Sequence, residues 1–512
     1  MENQHEFPEQ WLSHIQSQVD GLDNGLKRSE EESIAQNSSD SSTFLWALKD
    51  LQQAVEGEFI GALDHDQRVC FSRVSTDTRT LKPGALYIAI KGERFDGHDF
   101  IAQAIQQGAV AVLVSEVVKS IVPAVLVDDT TLALGQFAKW HRQQMPVKKL
   151  IAVTGSNGKT TTKSLLLNIF QKVGCTLATE GNLNNHLGVP RTLLNLRPEH
   201  EFAIIEMGAN HRHEIAYLTQ LAEPDIALIT NAGDAHLEGF GSLQGIVEGK
   251  GEIFQGLNKR GIKKGGVAII NSDSNGYLDW IQMIKALGVV KVVRFGQSDK
   301  ADIIISNLST ADHGIQFNLT IYGVSYKVTM PILGVHNAYN AASCVAIALS
   351  AGFSWCEILP GLSSFTGVVG RLQPQAISTG QLIDDSYNAN PTSVKAGIQT
   401  LVNLAGHSIL CLGAMAELGE EADNAHQEVA RYAKQQGVNW LFVYGEATQN
   451  MPLAFGEQAF YFESHQQLIE QVSKIIKEYA QSSEAVNVLV KGSRSANMEK
   501  VSQQLLSQFG CA

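Results

Sequence analysis

At 512 residues the chain exceeds what one hydrophobic core supports, and ordinary domain sizes give about three domains. A formal net charge of -13, with Lys and Arg scattered, offers no basic face to nucleic acid. No apolar run is long enough to insert in a membrane, and the acidic, polar N-terminus is no secretory signal. The six cysteines (Cys70, Cys175, Cys344, Cys356, Cys411, Cys511) include no C-x-x-C pair, so they read as reduced thiols of a cytoplasmic protein.

Residues 1–42 are polar and end in a Ser-rich, charged stretch, a composition expected to form a disordered extension. From Thr43 the pattern becomes globular, with a helix over 45–55, strands at 86–90 and 109–114, and a helix near 100–107. Residues 43–147 therefore read as a small α/β N-terminal domain. Within it Ser75, Thr76, Asp77 and Arg79 share a polar loop before the Lys82-Pro-Gly84 turn. Such a loop either binds a diphosphate or nucleobase through hydroxyls and a guanidinium, or is a plain turn.

The central region, 148–372, opens with an apolar strand running into Thr154, Gly155, Ser156, Asn157, Gly158, Lys159, Thr160 and Thr161. Two glycines let consecutive amides converge on an anion, the helix start adds its positive dipole end, and Lys159 supplies a cation. Thr160 places a hydroxyl where a phosphate-bound Mg2+ needs a ligand. Val153 stands where the usual phosphate loop has its first glycine, so the loop is a shorter variant. Three further apolar runs, 202–207, 225–230 and 266–271, suit parallel strands buried on both faces, with polar residues at their C-terminal ends. Glu206 ends the first, as a Mg2+ ligand or a capping carboxylate. His236 follows the second, as a ligand of a second metal or a structural histidine. Alternation over 315–329 predicts an antiparallel hairpin turning near Gly323, and an Ala-rich helix follows to Ala351. Near its start, Asn337 and Asn340 lie three apart, placed to read a base edge or to cap the helix.

After a turn-rich linker over 370–374, residues 373–512 alternate strands at 382–384, 409–412, 440–444 and 486–490 with helices at 393–404, 425–436, 465–480 and 496–509. This is a Rossmann-like doubly wound domain, whose rim carries Asp385, Lys491, Ser493 and Arg494. The predicted class is α/β in three domains: a small substrate domain, a central P-loop-type mononucleotide-binding parallel sheet, and the doubly wound unit.

Together, Thr154-Gly-Ser-Asn-Gly-Lys-Thr-Thr161, Gly181-Asn-Leu-Asn-Asn185, Glu206-Met-Gly-Ala-Asn210, Ala235-His-Leu-Glu-Gly-Phe-Gly-Ser242, Lys250-Gly-Glu-Ile-Phe254, Asp384-Asp-Ser-Tyr-Asn-Ala-Asn-Pro391 and Lys491-Gly-Ser-Arg-Ser495 resemble the Mur ligase family from about residue 43 to the C-terminus. Two positions depart from its pattern: Ala414 stands where Asp is usual, and His186 replaces an acidic residue. The resemblance implies an ATP-dependent carboxylate–amine ligase of peptidoglycan precursor synthesis, working as a monomer through an acyl phosphate. Its substrates would be UDP-N-acetylmuramoyl-tripeptide and D-alanyl-D-alanine. It implies two Mg2+ ions held by Thr160, Glu206, His236 and a carbamate formed on Lys250. By residue type alone Lys250 is a solvated helix lysine or a partner of Glu252. The resemblance further implies Asn337 and Asn340 at adenine, Asp385 at ribose and Arg371 at a phosphate. Ser75, Thr76, Asp77 and Arg79 would grip the UDP end, and Asn182, Asn184 and Asn185 would lie near the sugar and acyl part. Lys491, Ser493 and Arg494 would meet the dipeptide. Another member of the superfamily, such as a folylpolyglutamate synthetase, and a nucleotide-gated binding module are the alternative readings.

Overall fold

Aliphatic strands without polar alternation need cover on both faces, and the largest sheet is built from them. The computed structural model describes residues 44–60, 69–92, 94–233, 237–257, 266–289, 291–311 and 314–511. Its nine-stranded sheet runs in the order Val324–Met330, Gly314–Ile321, Ile303–Ala311, Lys291–Gly296, Val267–Asn271, Ile226–Ile229, Lys149–Thr154, Phe202–Glu206 and Thr176–Ala178. From Ile303–Ala311 to Thr176–Ala178 all pairs are parallel. The expected hairpin turns at Gly323, where φ is +86°, but it does not stand alone. Ile303–Ala311 pairs with its first strand and fuses it to the parallel sheet.

Register decides the site. Glu206 lies opposite Val153, and Ile229 opposite Thr154, so the ends of the two flanking strands meet around the end of Lys149–Thr154. The chain leaves that strand toward one edge and later crosses to the other side with Ile226–Ile229, which opens a crevice at the carboxyl ends. Behind the sheet, the helix Asn337–Ala351 is buried along most of its length, and its small residues let it lie close to the strands. Phe170, Phe202 and Phe353 close the core in tilted and edge-on contacts, with ring centroids 4.6–5.4 Å apart.

A five-stranded sheet is formed by Glu58–Ile60, Ala124–Leu126, Ala109–Val114, Ala85–Ile88 and Arg73–Ser75. The helix expected over 45–55 begins later, at Leu48, because Trp46–Ala47 is drawn into a two-stranded pairing with Cys70–Phe71. The six-stranded sheet runs Gln373–Ile377, Gly380–Asp385, Val486–Lys491, His407–Gly413, Trp440–Tyr444 and Ala459–Phe462. All its pairs are parallel except the first. The stretch read as a linker is thus partly strand: Gln373 and Pro374 pair with Asp384 and Ile383. An edge strand tolerates the proline, which has no N–H to donate. The last helix starts at Glu499 rather than Ala496, since Asn497 adopts a left-handed φ of +49° after one 3-10 turn. Residues 1–42, read as a disordered extension, lie outside the described residues.

Candidate functional site

The strand Lys149–Thr154 ends in a loop that only glycine could shape at two points. Gly155 has φ +148°, and a Cβ there would meet Thr230 Oγ1 at 1.8 Å. Gly158 has φ +82°, and a Cβ there would meet Asn340 Oδ1 at 2.5 Å. The next strand's end braces the loop: Ser156 N donates to Asn231 O (3.0 Å), Asn157 N to Asn231 Oδ1 (3.0 Å) and Thr230 Oγ1 to Asn157 O (2.6 Å). The helix Lys159–Phe170 then begins with its free amides facing the crevice. Lys159 Nζ folds back onto Gly155 O (2.7 Å) and Ser156 O (3.3 Å). Desolvation lowers its pKa, and the Glu206 charge opposes that shift. Thr154 does not line the crevice; its hydroxyl donates to Met207 O at 2.8 Å and ties neighbouring strand ends together.

Glu206 is 2% exposed. Its Oε1 accepts from Asn184 Nδ2 (2.9 Å) and Thr160 Oγ1 (3.3 Å), whereas Oε2 is buried without a hydrogen-bond partner among the described residues. A buried carboxylate oxygen with no donor is costly, and a cation would satisfy it. The donor set of Thr160 hydroxyl and Glu206 carboxylate therefore fits Mg2+. Asn184, expected near sugar, is instead committed to orienting this carboxylate. Below it, Lys163 Nζ donates to Thr179 O (2.7 Å), and Thr179 Oγ1 accepts from Glu206 N (2.9 Å), a bracket that no sequence motif announces.

Asn337 and Asn340 are both buried. Asn337 Nδ2 donates to Leu333 O (2.7 Å), Asn340 Nδ2 to Asn337 Oδ1 (2.8 Å), and Thr162 Oγ1 to Asn340 Oδ1 (3.3 Å). The pair thus shapes the crevice wall and packs against the phosphate loop. From the six-stranded region, Arg371 Nη2 donates to Thr160 Oγ1 (3.0 Å) while its guanidinium lies 4.3 Å from the Tyr387 ring centroid. Asn390 Nδ2 donates to Asn157 Oδ1 at 2.9 Å. These contacts close a cavity of about 930 Å3, lined by the phosphate loop from Ser156 to Thr161, the asparagines at 182, 184 and 185, Glu206, Asn337, Asn340, Arg371, Asp385, Lys491, Ser493 and Arg494. Tyr387 and Asn390 were missed by sequence reasoning, although both lie within the quoted Asp384–Pro391 motif.

Asp385 and Lys491 form a buried pair: Nζ meets Oδ2 at 2.6 Å and also donates to Asn388 O (2.9 Å), while Oδ1 accepts Leu372 N (3.2 Å). Ser493 Oγ donates to Ala414 O (2.7 Å) and accepts Ala416 N (2.7 Å), joining two rim loops. Arg494 pairs with Glu499 at 3.1 Å and its side chain is 66% exposed.

Ser75, Thr76, Asp77 and Arg79 do not line this cavity. Ser75 Oγ donates to Asp77 O (2.9 Å), and Arg79 holds Asp77 through Nη2 at 2.7 Å, which lowers the Asp77 pKa. The charge of Arg191, on the helix after the asparagine turn, also acts on Asp77, so the two loops face each other.

Lys250 lies on the helix Leu243–Gly251, 1% exposed, with Nζ 5.4 Å from the Phe240 ring centroid. It is not a solvated lysine. Glu252 accepts instead from the backbone N–H of His213 (2.8 Å) and Ala216 (3.0 Å). Burial, then the Lys159 charge, pushes the Lys250 pKa well below the usual lysine range. His236 lies outside the described residues.

Three family descriptions match the chain: the Mur ligase family catalytic domain over residues 71–142, the Mur ligase middle domain over 153–348, and the Mur ligase glutamate ligase domain over 370–494. The chain is 41% identical over 466 residues to the UDP-N-acetylmuramoyl-tripeptide–D-alanyl-D-alanine ligase of Escherichia coli (strain K12), covering 91% of this chain and 99% of that one. It superposes with a TM-score of 0.84 on a crystal structure of MurF from Acinetobacter baumannii, at 33% identity over 91% of this chain and 99% of that one. MurF ligase from Thermotoga maritima in complex with ADP gives a TM-score of 0.75 at 25% identity, covering 85% and 97%.

Proposed function

This chain belongs to the Mur ligase family, and on that premise we propose that it joins D-alanyl-D-alanine to the terminal carboxylate of UDP-N-acetylmuramoyl-tripeptide while ATP becomes ADP and phosphate. The carboxylate attacks the γ-phosphorus, and ADP leaves with the P–O electron pair. The dipeptide amine then attacks the acyl phosphate carbonyl, inorganic phosphate leaves with the C–O electron pair, and the nitrogen gives up its proton. One observation carries the reading: the partnerless Glu206 Oε2 sits beside a glycine-shaped phosphate loop that Arg371 reaches from the six-stranded region.

In this site Lys159 and the helix-start amides stabilise charge on the β- and γ-phosphates, and Arg371 adds a second cation once the two regions meet. Thr160 and Glu206 would hold one Mg2+, and His236 with Lys250 a second. Bound Mg2+ would neutralise phosphate charge as it develops. Asn337 and Asn340 would face adenine, and Asp385, held by Lys491, the ribose. Ser75, Thr76, Asp77 and Arg79 would grip the UDP end, with Asn182 and Asn185 between it and the phosphates. The depressed pKa of Lys250 supports a carbamate there, since a neutral amine adds to CO2 with loss of a proton and turns a buried cation into an anionic oxygen ligand. The separate sheets support a division at 43–147, 148–372 and 373–512.

No helix among the described residues is long and apolar enough to cross a membrane. The six cysteines are free thiols, which accords with a cytoplasmic enzyme; its monomeric state is a matter for sedimentation.

The test is ADP release by the purified chain with Mg-ATP, UDP-N-acetylmuramoyl-tripeptide and a panel of amines. Turnover with D-alanyl-D-alanine and not with single amino acids is expected. Turnover without either peptide substrate, or only with glutamate, would overturn the reading.

A further inference from the structure

The rim of the cavity beyond the phosphates is made by two loops, 413–417 and 491–495, that Ser493 staples together. Three consecutive amides of the first loop are all committed: Ala414 N to Tyr444 O (2.9 Å), Met415 N to His426 Nε2 (2.9 Å) and Ala416 N to Ser493 Oγ (2.7 Å). His426 is buried and held in one tautomer, because its Nδ1 lies 2.6 Å from Ala422 O and must donate while Nε2 accepts. The chain so pinned then turns left-handed at Glu417, with φ +62°. That conformation is unfavourable for a residue with a Cβ and persists only where its surroundings impose it. It leaves the Glu417 side chain exposed at the cavity wall, with its negative charge acting on Lys159 of the phosphate loop.

Arg494 follows the other half of the staple by one residue. Its guanidinium is oriented by Glu499, whose Oε1 lies 3.1 Å from Nη1. A carboxylate and a guanidinium thus stand on either side of one shared hydroxyl, the carboxylate toward the phosphate end. Their order matches a small zwitterion that must present nitrogen to the phosphates and its carboxylate outward. A dipeptide spans at most about 7 Å, so adjacent loops can address both ends.

We propose that Glu417 and Arg494 form a two-point subsite for the acceptor dipeptide, Glu417 holding its ammonium and Arg494 its carboxylate, with Ser493 fixing the distance between them. The proposal rests on the ligase reading and adds to it the residue that selects the amine end. Ser493 acts as a positioning residue for the two loops, its hydroxyl being committed to Ala414 and Ala416.

The experiment compares D-alanyl-D-alanine with D-alanyl-D-alaninamide, which lacks the carboxylate, in the parent, Glu417→Gln and Arg494→Gln, with ATP and the UDP substrate saturating. Both side chains are exposed, and circular dichroism verifies that each variant is folded. The parent is expected to favour the acid over the amide at least tenfold in kcat/KM, and Arg494→Gln to reduce that preference to within about twofold. Glu417→Gln is expected to raise KM about tenfold for both amines while KM for ATP stays within twofold. An unchanged amine KM in Glu417→Gln, or an undiminished preference in Arg494→Gln, overturns the subsite. An equal rise in KM for ATP also overturns it, since Glu417 would then act through Lys159. A parent that turns over neither amine brings down the ligase reading and the subsite with it.

Discussion

Two buried polar clusters in this molecule contrast. Around Glu206, a carboxylate oxygen lacks a donor, Lys159 folds back onto its own loop's carbonyls, and Arg371 reaches in from another sheet. Around His141 the groups are matched and neutral: Trp46 Nε1 donates to Nδ1 (3.0 Å), and Nε2 lies 3.0 Å from Leu196 O and donates to it. The Arg197 guanidinium lies over the Trp46 ring at 5.1 Å. Both clusters are built from polar residues in an apolar setting, yet the first is incomplete without a ligand and the second is complete without one. Satisfied buried polarity joins segments distant in sequence; unsatisfied buried polarity marks where a substrate belongs. Changes in the first cluster should therefore cost activity and spare stability, and changes in the second the reverse.

The sharpest break of that contrast is Lys159→Ala. Turnover is expected to fall at least about a thousandfold, because the lysine stabilises transferring phosphoryl charge. The melting temperature should stay within about 2 °C of the parent, as the residue adds little packing. Activity within threefold would remove the phosphate-site assignment.

Lys250→Ala should lose about a hundredfold in turnover, the order of one strong electrostatic contributor, and added short carboxylates should restore part of it by occupying the vacated position. A parent-like rate under bicarbonate-free conditions would rule out the carbamate.

For the matched cluster, burial first and then the Arg197 charge push the His141 pKa down to about 4, below the usual value near 6.5. Between those values the unfolded chain binds the proton that the folded chain refuses. The stabilising contribution is thus whole above about pH 6.5 and is lost as pH falls toward 4, at about 1.4 kcal/mol per unit. From pH 6.5 to pH 5, urea midpoints should report about 2 kcal/mol lost, and His141→Gln should remove that part of the slope. An unchanged slope would show that other groups dominate acid unfolding.

The smallest expected effect is that of Arg79→Ala, which opens the Asp77 pair. KM for the UDP substrate should rise about tenfold, the scale of one charge-assisted contact, with KM for ATP and the melting temperature unchanged. No change in either KM would make the Ser75–Asp77–Arg79 loop a plain turn.

How much could be read in advance follows from the range of each interaction. The phosphate loop was legible because its chemistry is local: two glycines, a lysine and a threonine adjacent in sequence impose the bend and the cation wherever the strand goes. Glu206 was legible because an apolar strand carries it inward. The three α/β regions followed from the alternation of apolar runs and amphipathic stretches. The strand at 303–311 and the edge strand at 373–377 were not, because polar and proline-containing segments become strands only when a neighbour supplies the ladder.

Sequence by itself determined the phosphate cradle, the parallel sheet beneath it and the family to which the chain belongs, since each is encoded in short contiguous patterns. Tertiary structure alone decided what those patterns are joined to. Asn184 was placed on Glu206 rather than near a sugar, Lys491 on Asp385, Ser493 between two loops, and Glu417 opposite Lys159. Such pairings link residues far apart in the chain through one hydrogen bond or one shared cavity, and their partners become neighbours only after the sheets have formed.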